Sequence, residues 1–156
     1  MAKSEPTINL VLDALVRRLE TIARNPDLYW AAPRVHQQLP LGWNAAFKPA
    51  LIVTAPDYAT DVRILGGDIV DAGPFDVQVW GLAQGTIDGD GERNAHRLMR
   101  DVLSCLAGDR TLGGVIQSGI QLPKGYHFDL EASAAVQTVV AVMTVTVRWE
   151  HAKANP

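Results

Sequence analysis

Apolar residues at Ile8, Val11, Leu12, Leu15, Leu19 and Ile22 recur at spacings of three and four. They fall on one stripe of a helix, which predicts an amphipathic helix from about Thr7 to Arg24. Asn25-Pro26 ends it, because the residue before a proline is pushed out of the helical region. A second stripe, Ala95, Leu98, Met99, Val102, Leu103 and Leu106, predicts a helix from about Gly91 to Ala107, stopped by Gly108. Elsewhere the period is two or the run is continuous. Phe75, Val77 and Val79 alternate with Asp76, Gln78 and Trp80, and Pro49–Thr54 reads as a short buried strand. Val62–Leu65 and Asp68–Val70 flank Gly66-Gly67, a two-residue hairpin signal, since both turn positions need positive φ. Val115–Leu122 is a weaker strand, and a hairpin through Lys124–Glu131 leads to the last element.

That last element reads as one long strand from Ala135 to Trp149. It is dense in valine and threonine, whose branched side chains fit a pleated surface and lose rotamer freedom in a helix. At roughly 3.3 Å per residue it would reach about 50 Å, well beyond an ordinary strand. Near its middle both faces are apolar, so a neighbouring chain is expected to help cover it. The expectation is an assembly protein before an enzyme.

Between Asp27 and Lys48 the pattern is irregular, with a short extended piece around Arg34–Gln38 and then a long loop. Loops of this length in a compact domain are usually functional or disordered, and Leu39, Leu41, Trp43 and Phe47 argue against disorder. Two uses fit: a lid folded over one sheet face, or a docking loop. The order helix, strands, helix, strands indicates an α+β fold: a largely antiparallel mixed sheet with two amphipathic helices packed on one face. No repeat or boundary divides residues 1–156, which read as a single domain with frayed ends at about 1–5 and 152–156.

Composition changes this picture little. The apolar fraction of 47% and charged fraction of 20% are ordinary for a globular protein, and a formal charge of -3 gives no basic footprint for dedicated nucleic-acid binding. The single Cys105 excludes an intramolecular disulfide and reads as a buried thiol on the second helix. Met1–Pro6 is polar, and Val139–Val147 is too short to span a bilayer as a helix, so no membrane role is expected.

The search for chemistry is negative. Asp88-Gly-Asp90-Gly-Glu92 resembles the start of a calcium loop, but Arg93 and Met99 stand where position six needs glycine and position twelve glutamate. These carboxylates read instead as caps on the second helix. No histidine pair has metal-ligand spacing; His96, beside Arg93, Arg97 and Arg100, reads as part of a solvated basic face. His127-Phe-Asp129 sets an imidazole and a carboxylate along an extended segment without a nucleophile signature. No cofactor is expected and no catalytic residue is assigned.

The order and spacing of these segments resemble the tail terminator, or tail completion, proteins of long-tailed bacteriophages, of the lambda minor-tail U type. The segments are Ile8–Leu15, Lys48–Thr54, Phe75–Trp80, the helix Glu92–Leu106, Asp109–Ile120 and Val140–Glu150. The Tyr29–Phe47 stretch departs from the pattern. The resemblance implies a virion subunit assembled in the host cytoplasm. It would form a six-fold ring on the head-proximal end of the tail tube, stop tube polymerisation and join the head connector. Its partners would be further copies of itself, the tail tube protein and a head-completion or connector protein, with DNA passing through unbound. A closed ring needs heterologous interfaces. Interface residues are expected at Trp43, Phe47, Tyr126, His127, Arg148 and Trp149, with Trp43 the best single anchor. An acidic lumen is expected from among Asp68, Asp71, Asp76, Asp88 and Asp90, since a basic channel would hold DNA phosphates. Two other readings compete: another connector or minor tail protein, and a small enzyme or binding domain with a cleft lined by Trp43, His36 and His127.

Overall fold

The computed structural model describes residues 6–25, 28, 34–37, 49–57, 61–65, 68–72, 74–116 and 118–147, with 61–65 and 68–72 as backbone. In chain order the elements are α1 (Thr7–Glu20, continued by a 3-10 turn Thr21–Arg24), β1 (Arg34–Gln37), β2 (Ala50–Thr54), β3 (Asp61–Leu65), β4 (Asp68–Ala72), β5 (Phe75–Leu82), α2 (Gly91–Gly108), β6 (Ile120–Gln121), β7 (His127–Phe128), α3 (Leu130–Val136) and β8 (Val140–Val147). The α+β class is as the pattern predicts. The main sheet runs β1-β2-β5-β8-β6, with β7 also on β8. Among the described strands only β1 and β2 pair in parallel.

One sheet face carries the core. Leu51, Val53, Phe75, Val77, Val79, Ala141, Met143, Val145 and Val147 meet the stripes of α1 and α2 there. These are the alternate positions that strand geometry turns to one side, so period two in the strands meets period 3.6 in the helices. Gly81 sits on the same face, where a Cβ would run into Met99 and Leu98. Its missing side chain lets α2 lie close on β5.

The predicted 50 Å strand is corrected at its start. Leu130–Val136 forms a helix, and β8 begins only at Val140. Asp129 caps α3 by accepting a hydrogen bond from the Ala132 backbone N–H at 2.8 Å, and Gln137 ends it with φ 60 in the left-handed region. Three alanines between cap and stop favour a helix, and the Val/Thr run takes over only after that stop. The third helix was not expected. It covers the opposite sheet face, where Val136 and Ala132 pack with Ala50, Ile52, Leu82, Trp80 and Val140. Thr138 then ties the crossover to the β5 end by donating from Oγ1 to the Ala83 carbonyl at 2.6 Å. Of the expected Lys124–Glu131 hairpin, His127–Phe128 does pair with β8, as β7, while Leu130 and Glu131 open α3.

The expected strand Val115–Leu122 shrinks to Ile120–Gln121. Before it, Asp109 gathers a turn: its carboxylate accepts from the Thr111 backbone N–H and hydroxyl and from the Gly113 N–H at 3.1, 2.7 and 2.8 Å. β6 and β7 pair with opposite ends of β8, at Thr146–Val147 and Ala141–Val142. Between them Leu122-Pro-Lys-Gly-Tyr126 detours around Met143–Val145, which has no register partner on that side.

The two strands expected on either side of Gly66-Gly67 do pair: Leu65 opposes Asp68, and five residue pairs run back to Asp61 and Ala72, while the glycines themselves lie outside the described residues. The strands bounding it are longer than read from the sequence, and they form a separate two-stranded ribbon rather than part of the main sheet. The ribbon is inserted between β2 and β5, which pair directly with each other.

Candidate interaction surface

The long axis of β5 and β8 gives the molecule two ends. Leu82 pairs with Val140 at one, and Phe75 with Val147 at the other. The β5–α2 turn and the β7–α3 junction both lie at the Leu82 end, because Ala83 donates to Val139 and Asp129 to Val140. The exposed large hydrophobics among the described residues are Ile87 (45% exposed) and Leu130 (79%), one on each of these segments. Sequence reasoning missed both. Leu130 was hidden inside a presumed hairpin, and its real place, the first position of a short helix, leaves it no face to bury. Exposed Asp88, Asp90, Glu92 and Glu131 surround this end.

At the α2 N-terminus Asp90 occupies the cap position and Glu92 the first turn, as predicted, but no side-chain capping hydrogen bond forms. With φ -96 and ψ 10, Asp90 lacks the extended backbone from which a cap side chain reaches the first free N–H groups. Its own carbonyl still starts the helix, accepting from Asn94 N–H at 3.0 Å.

Of the expected interface residues, Tyr126 and His127 are described. Tyr126 turns inward onto α2: its hydroxyl lies 2.7 Å from His96 Nδ1, and the rings are 5.7 Å apart. Phe128 stacks beside it, 5.1 Å from His96. Partial burial pushes the Tyr126 phenol above its ordinary range. Tyr126 and Phe128 therefore clasp the β6–β7 segment to α2, and exposed His127, of opposite parity, is left outside. His96 is exposed as expected, yet engaged: besides Tyr126 it approaches Glu92 Oε1 at 3.7 Å. Asp129 is spent as the α3 cap and does not pair with His127 as a catalytic couple. Trp43, Phe47, Arg148 and Trp149 lie outside the described residues.

The acidic set is divided. Asp76, exposed on β5 and accepting from the Thr146 hydroxyl at 2.8 Å, belongs to the Phe75 end, close in chain to Asp68 and Asp71 on β4. Asp88 and Asp90 lie at the other end, about 20 Å away along six strand residues. The fold does not gather all five on one rim. It also separates His36 from His127. β1 and β7 occupy opposite edges of the sheet, four inter-strand steps of about 4.8 Å apart, roughly 19 Å in all. The cleft postulated between them is not formed. Among the described residues no group of three His, Cys, Asp or Glu is placed to hold a metal, and no helix is long and apolar enough to cross a membrane.

The Phe75 end is basic on its helical side. α2 finishes there, since Arg110 just beyond it donates to the Ile120 carbonyl on β6 at 2.9 and 2.8 Å. Arg18 Nε donates to the Cys105 carbonyl at 2.9 Å, satisfying part of the free C-terminal end of α2. Cys105 is buried as predicted, and its thiol donates to the Arg18 carbonyl at 3.1 Å. Burial pushes that thiol above its ordinary range. A cleft of about 370 Å³ opens beside it, with Arg18, Thr21, Arg24 and Ser104 in its wall. A second, of about 180 Å³, lies on the other side of Arg18 against Arg17 and Asp109.

No protein-family model matches the sequence, and no curated protein matches it. Among solved structures the chain is similar to the sheath/tube terminator of an extracellular contractile injection system (PVC) in its extended state. The TM-score is 0.39 and the identity 14%, over 96% of this chain. The chain spans 58% of the length of that protein.

Proposed function

We propose that this chain is a structural, non-catalytic subunit of a tail: a terminator that rings the head-proximal end of the tube, halts its polymerisation and presents the joint to a head connector. The observation that carries this reading is the β3–β4 ribbon. It pairs only with itself among the described strands, and a lone two-stranded hairpin is marginal in water. Such a ribbon gains its stability from a surface outside its own sheet, which is what an assembling subunit offers its neighbours. The segment order that resembles tail terminators reappears as α1, β2, β5, α2 and β8, and this favours a terminator over other small connectors. In the ring, hexameric by that resemblance, Asp68, Asp71 and Asp76 supply the acidic lining past which DNA slides. The subunit assembles in the host cytoplasm and resides in the virion.

Purified protein added to polymerising tail tubes tests this. Electron microscopy is expected to find a ring on one end of each tube and a stop in elongation. Tubes that keep growing with bare ends would refute it. Light scattering of the free protein, up to millimolar concentration, reads its tendency toward a hexamer.

A further inference from the structure

The two ends of α2 carry opposite charge and complementary shape. At its start Asp88, Asp90, Glu92 and Glu131 outnumber Arg93 and surround the exposed Ile87 and Leu130. At its finish Arg17, Arg18 and Arg24 border two clefts. Asp109 in the wall of the second cleft feels Arg18 electrostatically, but its carboxylate accepts its hydrogen bonds from Thr111 and Gly113. An 18-residue helix separates the two patches by about 27 Å.

Compensation of the α2 dipole explains part of this arrangement. It accounts for Asp90 and Glu92 at the N-terminal end and for Arg18 on the Cys105 carbonyl. Arg17 and Arg24 stand in the last turns of α1 and of its 3-10 continuation, where cations are likewise favoured, but no helix end gives a reason for Ile87 and Leu130 to stay in water. Complementary ends can join antiparallel about a two-fold axis or head to tail; a ring requires the second, the interface type from which rings close.

We propose that the Ile87–Leu130 end of one copy docks on the Arg17/Arg18/Arg24 clefts of the next copy, and that this contact is the repeating interface of the ring. The proposal rests on the ring reading above. The acidic turn enters the arginine clefts, Ile87 and Leu130 seal the contact from water, and screening by salt weakens it. Asp88 and Asp90 thereby belong to the interface and not to the channel.

Two charge-reversal variants test it: Arg17→Glu/Arg24→Glu and Asp88→Arg/Asp90→Arg, with sedimentation equilibrium as the readout. All four positions are exposed, so melting temperatures are expected to match the parent; if either variant fails to fold, the neutral pairs Arg17→Gln/Arg24→Gln and Asp88→Asn/Asp90→Asn replace it. Each variant alone is expected to associate roughly tenfold or more weakly than the parent. An equimolar mixture of the two reversed variants is expected to recover association, because every contact in an alternating chain is again between opposite charges. Variants that associate like the parent, a mixture that stays dissociated, or a parent that is monomeric at every concentration would overturn the proposal. So would unchanged self-association combined with lost affinity of the arginine variant for a duplex oligonucleotide, which would assign those arginines to nucleic acid. Capping of tubes by the reversed variants would reject this interface and leave the terminator reading standing; absent capping by the parent, with rescue in the mixture, would do the opposite.

Discussion

Two excursions leave the main sheet, and they are held in different ways. The β6–β7 segment is fixed at several points: Arg110 on Ile120, the register of β6 and β7 on β8, and Tyr126 and Phe128 on His96. The β3–β4 ribbon has its own ladder and, among the described residues, pairs with no strand of the main sheet. In the sequence both read as hairpins, one around Gly66-Gly67 and one through Lys124–Glu131. The difference teaches that local pattern fixes whether a hairpin forms, while its pairing with the main sheet is decided by contacts far away in sequence.

The sharpest break of this comparison is at the clasp. Phe128→Ala is expected to cost about 2 kcal/mol, below the figure for a fully buried phenylalanine because Phe128 is only half-buried. Urea unfolding monitored by tryptophan fluorescence measures it, and no loss would mean that the clasp is ornamental. Asp129→Ala removes the cap of α3 and is expected to cost about 1 kcal/mol; hydrogen exchange at Ala132 and Ser133 should rise first. Tyr126→Phe deletes the hydroxyl on His96 at a partly exposed site, for about 0.5 kcal/mol. Replacing residues 61–72 by a short Gly/Ser linker sits at the far end of the scale. Its effect on unfolding free energy is expected to stay within about 1 kcal/mol, because loop length enters stability only logarithmically, while tube capping is lost. A deletion that unfolds the domain would erase the distinction between the two excursions.

The thiol offers a separate check on the core. Because the folded state holds Cys105 above the ordinary thiol range, its contribution to stability is present below that range and is lost as the pH rises through it. Alkylation by iodoacetamide at pH 8 is therefore expected to be slow in the native protein and fast in urea.

Helix stripes and strand alternation were legible wherever the residue pattern had one meaning. The stripes from Ile8 to Ile22 and from Ala95 to Leu106 face the core as their spacing requires. The seven residues Leu130–Val136 were not legible as a helix. They are too few to show a period, and they run into a Val/Thr segment whose strand signal is stronger. The signal that was present is Asp129 three residues before Ala132, followed by alanines: a cap with a helix behind it. For the candidate surface, the hairpin tip was named from its residue types, but the contact of Tyr126 with His96 across the fold was not legible. Ile87 and Leu130 were illegible because exposure of a hydrophobic residue depends on where two separate turns meet in space. The acidic residues could be named but not grouped, since sequence proximity does not say at which end of β5 a turn will fall.

The detour of Leu122–Tyr126 around Met143–Val145 has a consequence for the free chain. A strand as rich in valine as β8 would, with a continuous free edge, recruit any extended chain it met, including nascent copies of itself. Here that edge is broken into two protected ends and a three-residue gap, overhung by a loop holding Pro123 and Gly125. Too short a stretch of backbone is left to template a foreign strand. The loop that looks like an interruption of the sheet thus keeps this edge of a valine-rich strand from pairing with other chains.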